Sequence, residues 1–240
     1  MKQGRRSPLL VPLFSEEGFT PAAEPALFPR EAQPCRENAW EGVDDLETLR
    51  EKVLLCRDCR LREGARGVVF GEGNPQAHVM LVGEGPGATE DEMGRPFVGK
   101  AGRLLDAMLR SAGFERDSVF IANIVKCRPP DNRLPLPDEV VACFPHLKAQ
   151  IRIINPRIVV CLGALSAQTL VDPSIRVTRD RGRWWIKDSR RYLVTYHPAA
   201  VLRDENKKKP MLEDFQALKK VYIEMLSSEK EGKIPLLKET

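Results

Sequence analysis

The chain has 240 residues, of which 42% are hydrophobic and 30% charged, with a net charge of +4 and a pI of about 8.7. That length suits one α/β domain with some tail and allows a proper core; the mild basic excess is compatible with a nucleic-acid partner without demonstrating one. No run reaches the roughly 18 apolar residues of a membrane span, and Pro8, Pro12, Glu16 and Glu17 spoil the N-terminal apolar patch as a signal peptide, so no membrane partner and a cytoplasmic location are expected.

Residues 1–44 hold six prolines, many charges and no clear period, and they read as a disordered or weakly ordered tail. The stretch DLETLREKVLL (45–55) predicts a helix with Leu46, Leu49, Val53 and Leu54 on one face. Four apolar runs predict buried strands: HVMLVG (78–83), SVFIANIV (118–125), RIVVCLG (157–163) and RYLVTYH (191–197). Helical patterns lie between them. RLLDAMLRSAG carries a stripe of Leu104, Leu105, Met108 and Leu109, with Gly113 as its cap. The span 137–155 is helical, and Pro145 is expected to kink or restart it. A short helix is expected from 163 to 170 and a long amphipathic one from 211 to 226; residues 227–240 read as a second tail. Domain boundaries at 45 and 226 follow.

Strands alternating with helices imply a three-layer α/β sandwich with a four-stranded, mainly parallel central sheet flanked by helices. In such sheets ligands bind beyond the carboxyl ends of the strands. There the sequence places GEGPG (83–87), Asn123 to Arg128, Gly163, and His197-Pro198.

GRPFVGKAG (94–102) has the glycine and lysine spacing of a phosphate-binding loop. Such a loop must follow a strand and open a helix. This one follows the acidic ATEDEM, has Ala101 where a magnesium-binding hydroxyl belongs, and loses an amide at Pro96. The spacing is coincidental. GEGPG is not G-x-G-x-x-G either, which excludes the dinucleotide fingerprint.

Of six cysteines, Cys56 and Cys59 form C-R-D-C, and Cys127 and Cys143 follow 16 residues apart. Four thiolates so arranged can close a tetrahedral site, and spacing alone leaves zinc and an iron–sulfur cluster both open. Cys161 sits in an apolar strand and reads as core, Cys35 as a free thiol in the tail. None of the histidines, His78, His146 and His197, belongs to H-E-x-x-H or heads H-x-E, which excludes those zinc-enzyme signatures.

Together, GEGPGATEDEMGRPFVGKAG (83–102), NIVKCRPPDNRLP (123–135), CLGALSA (161–167), HPAAVLR (197–203) and the cysteine spacing resemble the iron–sulfur (family 4) uracil-DNA glycosylases, over about 56 to 220. The resemblance implies a monomeric, monofunctional enzyme of base-excision repair that flips uracil from single- or double-stranded DNA and hydrolyses its N-glycosidic bond. It implies a 4Fe–4S cluster on Cys56, Cys59, Cys127 and Cys143. Phe97 would stack on the flipped base, Asn123 would read its polar edge, and His197 would bond the carbonyl oxygen. The loop from Gly83 to Gly87, with Gly85 and Gly87 as substrate contacts, would face the reacting sugar.

Those residue types suit that chemistry. An aromatic face returns part of the unstacking cost of extrusion. An amide offers one acceptor and one donor, matching uracil and mispairing with cytosine. A donor preplaced at the departing oxygen stabilises charge where it develops. Glu90, then Glu84, are the carboxylates expected to orient water, with Asp91 a third acid in the loop; Thr89 stands where the family commonly has another acid. Val201 is expected to wedge into DNA with Leu202 sharing the task, and Arg203 and Lys207–Lys209 to face phosphates. TRDRGRWW (178–185) reads as a hairpin or loop near DNA or the cluster. The competing reading is a non-catalytic nucleic-acid-binding module stapled by a four-cysteine metal site.

Overall fold

A computed structural model describes residues 40–230. Most of the expected N-terminal tail, with Cys35, and the last ten residues lie outside that range. The described chain opens ahead of residue 45: Val43 is buried in the core, and Trp40 Nε1 donates to His146 Nδ1 at 3.0 Å. The first helix, α1 (Leu46–Leu54), starts where the side chain of Asp45 accepts the Thr48 amide at 2.7 Å, satisfying one of the unpaired donors of a helix start. A short α2 (Leu61–Gly64) leads to β1 (Glu72–Gly73) and β2 (Val79–Gly83). Then come α3 (Ala88–Met93), α4 (Lys100–Ser111), β3 (Phe120–Asn123), α5 (Pro137–Ile154), β4 (Ile158–Leu162) and α6 (Ala164–Leu170). The chain ends with α7 (Val177–Asp180), β5 (Trp184–Lys187), β6 (Arg190–Thr195), α8 (Pro198–Arg203) and α9 (Lys208–Lys230).

The strands form one six-stranded sheet in the order β1-β3-β2-β4-β6-β5. The inner four are mutually parallel and are the four apolar runs of the sequence. The two edge strands, β1 and β5, pair antiparallel; β1 was not expected, and β5 extends the sheet through the hairpin expected around TRDRGRWW. β1 is two residues long, and β5 lies in the basic, tryptophan-containing stretch without a clean alternation. β5 and β6 form a hairpin whose turn residues Asp188 and Ser189 have φ of 50° and 60°, the positive values a two-residue hairpin turn requires. TRDRGRWW is therefore α7 plus an edge strand.

Alternation along the buried strands divides the core. Met80 and Val82 face a layer built with α1, α5 and α6; Val79 and Leu81 face one built with α4, α8 and α9. This is the three-layer sandwich. α5 passes through Pro145 as one helical span, so the expected restart does not occur. Its buried Leu147, Ile151 and Ile154 anchor the second half to the sheet layer, offsetting the hydrogen bond that proline removes.

Parallel register carries the carboxyl ends of the inner strands to one edge. Gly83 pairs with Asn123, and the ladder continues through the Ile124 amide to Gly83 O and the Val125 amide to Glu84 O. At the same edge β6 is tied to α9: Asp214, 2% exposed, accepts from Thr195 Oγ1 at 2.6 Å and from Arg181 Nε at 3.0 Å. Removing one partner of such a buried set leaves the others uncompensated. Asp214→Ala should cost about 3 kcal/mol in urea denaturation, whereas a loss below about 0.5 kcal/mol, ordinary for a surface change, would mean that the set contributes nothing.

Candidate active site and thiolate centre

A cavity of about 570 Å³ opens at the carboxyl edge of the sheet. Its walls include Glu84, Gly85 and Gly87 from the loop after β2, Glu90 from α3, Phe97, Asn123 at the end of β3, and His197 with Arg203 around α8. The tertiary fold thus brings together the expected residues from four separate segments.

Gly83 is where the backbone must be bare. A Cβ there would lie 2.4 Å from the Phe97 ring and 2.5 Å from Asn123 Oδ1. Phe97 takes a left-handed backbone, φ 50°, which is costly for a residue with a Cβ. Its surroundings over-determine that conformation. Glu90 Oε1 accepts the amides of Val98 at 2.9 Å and Gly99 at 2.8 Å. Arg116 Nη2 holds the Pro96 carbonyl at 2.6 Å. At Gly102 a Cβ would stand 1.8 Å from Phe97 O. The ring is 5% exposed and lies 5.6 Å from the His197 ring, tilted by 37°.

His197 caps α8. The Ala199 amide donates to its Nδ1 at 3.1 Å. Burial, with help from Arg203, pushes its pKa down to about 4, so the ring is neutral near pH 7. With Nδ1 accepting, the proton sits on Nε2. That atom is buried and has no partner among the described residues, and neither has Asn123 Oδ1. A buried polar atom without a partner costs about 1–3 kcal/mol, and two of them line one cavity.

The acids divide. Asp91, 6% exposed, accepts the Arg66 amide at 3.0 and 3.2 Å and does not line the cavity. Glu90 is anchored through Oε1, and its Oε2 lies beside Gly87. Glu84 lines the cavity, and burial raises its carboxyl above the usual range while Arg203 opposes that shift. Gly85 and Gly87 also line the cavity.

On α8, Val201 is 2% exposed and packs in the core against the α4 and α9 layer, so the structure corrects its assignment as a DNA-facing wedge. A one-residue step along a helix turns a side chain by about a quarter-turn or more, and Leu202 is the exposed neighbour at 49%. Lys207 is held by Asp204 at 2.9 Å and sits over the Tyr196 ring, while Lys208 and Lys209 are exposed. In the TRDRGRWW stretch, Thr178 reaches the cavity wall beside Val177.

On the α5 side, Cys56 and Cys59 after α1, Cys127 after β3 and Cys143 on α5 carry free thiols that act electrostatically on one another. Burial raises all four, Cys127 to about 12. Thiols so placed ionise only with a strong positive partner, which a bound metal supplies. The all-sulfur donor set therefore fits a thiolate metal centre. Amide donors already face it: Asp58 N to Cys56 Sγ at 3.5 Å and Lys126 N to Cys143 Sγ at 3.1 Å.

Sequence reasoning missed the neighbours of that centre. His146 Nε2 lies 3.2 Å from Cys56 Sγ. Because Trp40 occupies Nδ1, Nε2 carries the proton and donates to the sulfur. Cys56, Asp58 and His146 have ligand atoms within 4.8 Å of one another, and both His146 nitrogens are engaged, one by Trp40 and one by Cys56. The i, i+3 spacing of Cys143 and His146 on a helix was the available signal. Nothing local marked Trp40.

With neutral His197 buried, stability should be complete above the unfolded value of 6.5 and be lost as pH falls from there toward about 4. A chemical-denaturation series should show His197→Asn with a slope shallower by up to about 1.4 kcal/mol per pH unit in that window; equal slopes would place the titration elsewhere.

The profile of the Uracil DNA glycosylase superfamily matches residues 70–219. The chain is 44% identical over 190 residues to the type-4 uracil-DNA glycosylase of Sulfurisphaera tokodaii, covering 75% of this chain and 86% of that one. It is 43% identical over 179 residues to the Thermotoga maritima protein of the same name, covering 72% and 93%. A third of that name, from Pyrobaculum aerophilum, is 46% identical over 167 residues, covering 66% and 85%. The cavity at the sheet edge, the buried unpaired amide and imidazole atoms, the converging thiols and these likenesses agree: the chain belongs to the uracil-DNA glycosylase superfamily, in its type-4 branch.

Proposed function

We propose that this protein removes uracil from DNA by hydrolysing the N-glycosidic bond, leaving an abasic site for base-excision repair. The observation that carries the reading is a pair of buried atoms without a partner among the described residues, Asn123 Oδ1 and His197 Nε2, on the wall of one cavity with Phe97. A pyrimidine with an N–H beside a carbonyl oxygen would satisfy both. Asn123 Oδ1 accepts the ring N–H, and its amide nitrogen is available to the neighbouring carbonyl. Cytosine has no N–H at that ring position and mispairs. The Phe97 ring offers the apolar face on which the extruded base stacks.

As the bond breaks, negative charge gathers on the departing base and positive charge on the sugar. His197 donates Nε2–H to the base oxygen and stays neutral before the step. Glu90 is oriented by two amides through Oε1 and uses Oε2 to hold the attacking water; Glu84, when ionised, stabilises the cationic sugar. Arg203 and the exposed lysines opening α9 would meet phosphates, and Leu202 would fill the space left by the extruded nucleotide. Cys56, Cys59, Cys127 and Cys143 would hold a 4Fe–4S cluster, which when bound supplies a structural staple and no step of the hydrolysis. Action as a cytoplasmic monomer on single- or double-stranded DNA belongs to the same proposal. No helix among the described residues is long and apolar enough to cross a membrane.

A uracil-containing oligonucleotide, treated with alkali after incubation, tests the reaction: strand scission at the uracil position is expected, and tight binding without scission would refute it. His197→Ala should lower kcat by about 10²–10³, the effect of removing one preorganised donor; an unchanged kcat would remove His197 from the mechanism. Iron and acid-labile sulfide in equal amounts are expected from elemental analysis, and zinc without sulfide would replace the cluster with a zinc site.

A further inference from the structure

Lys126 is 1% exposed, between the base-reading end of β3 and the thiolate centre. Its ammonium donates to Asn123 O at 2.9 Å and to Gln150 Oε1 at 2.6 Å. Gln150 in turn donates to Phe70 O at 2.9 Å. The backbone N–H of the same lysine donates to Cys143 Sγ at 3.1 Å, and the next residue is Cys127. One residue therefore touches the centre through its main chain and the strand end through its side chain.

The partners of that ammonium are neutral carbonyl oxygens, and no carboxylate pairs with it among the described residues. A buried cation answered only by neutral dipoles is heavily penalised. The missing charge lies next door. Four thiolates outweigh the charge of a zinc ion or of an iron–sulfur core, so a loaded centre is an anion, and the Lys126 amide already touches one of its sulfurs, Cys143 Sγ, at 3.1 Å.

We propose that Lys126 is the counter-ion of the thiolate centre and a positioning residue for Asn123, so that occupancy of the centre and reading of the base are thermodynamically linked. This rests on the thiolate centre and the base pocket proposed above. Linkage is reciprocal: if the loaded centre favours the uracil-binding arrangement, uracil must favour retention of the metal by the same factor. If the lysine only filled core space, replacing it would leave that coupling unchanged.

The test uses the purified, metal-loaded full chain, a chromogenic iron and zinc chelator, and free uracil as the pocket ligand. Saturating uracil should slow metal release from the wild type several-fold. Lys126→Met should release metal at least about tenfold faster, the usual scale for loss of an outer partner of a metal ligand, and uracil should no longer slow it. If Lys126→Met does not fold, Gln150→Met, which removes one acceptor of the ammonium, should reduce the uracil protection. Wild type purified without bound metal overturns the thiolate centre and this inference with it. A loaded variant with wild-type release rate and wild-type uracil protection overturns the inference alone.

Discussion

The bare backbone at Gly83 is the constraint on which the site depends. It ends β2 opposite Asn123 at the close of β3, and the Phe97 ring and Asn123 Oδ1 occupy the space that any side chain there would take. An aromatic wall and a polar reader can therefore sit side by side on the sheet edge. The arrangement needs Phe97 in a left-handed conformation. The Glu90 carboxylate, the Arg116 guanidinium and the close approach of Gly102 hold it there. Strain of this kind persists only where surrounding contacts outweigh it. The loop that resembled a phosphate cradle is, in the folded chain, a carboxylate-held mount for an aromatic ring.

Around that mount the protein leaves polar atoms waiting. Native interiors pair nearly all such groups, and Asn123 Oδ1 and His197 Nε2 are exceptions on one cavity wall. Burial keeps the imidazole neutral, and the Ala199 amide sets its tautomer, so the donor is oriented before any ligand arrives. A donor oriented in this way would need no reorientation at the moment when charge develops in the proposed reaction.

The cysteine side of the molecule is joined to the pocket by short covalent and polar paths. Cys127 lies four residues beyond Asn123. The segment between Cys127 and α5 lines the cavity through Pro129, Asn132 and Arg133, and Arg133 is clamped by the buried Glu139 at 2.7 Å near the start of α5. Arg60, next to Cys59, pairs with Asp138 on the same helix. A metal centre held by the four cysteines would draw α1, α5 and the β3 exit together and so brace the loop forming one wall of the pocket.

The four inner strands, the two helix layers and the thiol set were legible in the sequence, each through a local pattern: an apolar run, a helical period, a cysteine spacing. Phe97, Asn123 and His197 carried no such local mark and were singled out by the resemblance of several motifs taken together. The edge strand β1, and the membership of β5 in the sheet, were not legible, because a two-residue strand and an irregular one are defined by the partner they pair with. The same holds for single side chains. Whether Val201 or Leu202 faces outward is decided by the rotation of α8 on its neighbours. Whether Glu90, Asp91 or Glu84 meets a ligand is decided by which backbone amides fold onto each carboxylate. Trp40, His146 and Lys126 acquire roles only through contacts with distant segments or with groups exposed by folding. The sequence by itself determined the four inner strands and the residue types of the site; the tertiary structure decided the edge strands and the orientation, protonation and pairing of the site residues, because those depend on distances between segments that only packing sets.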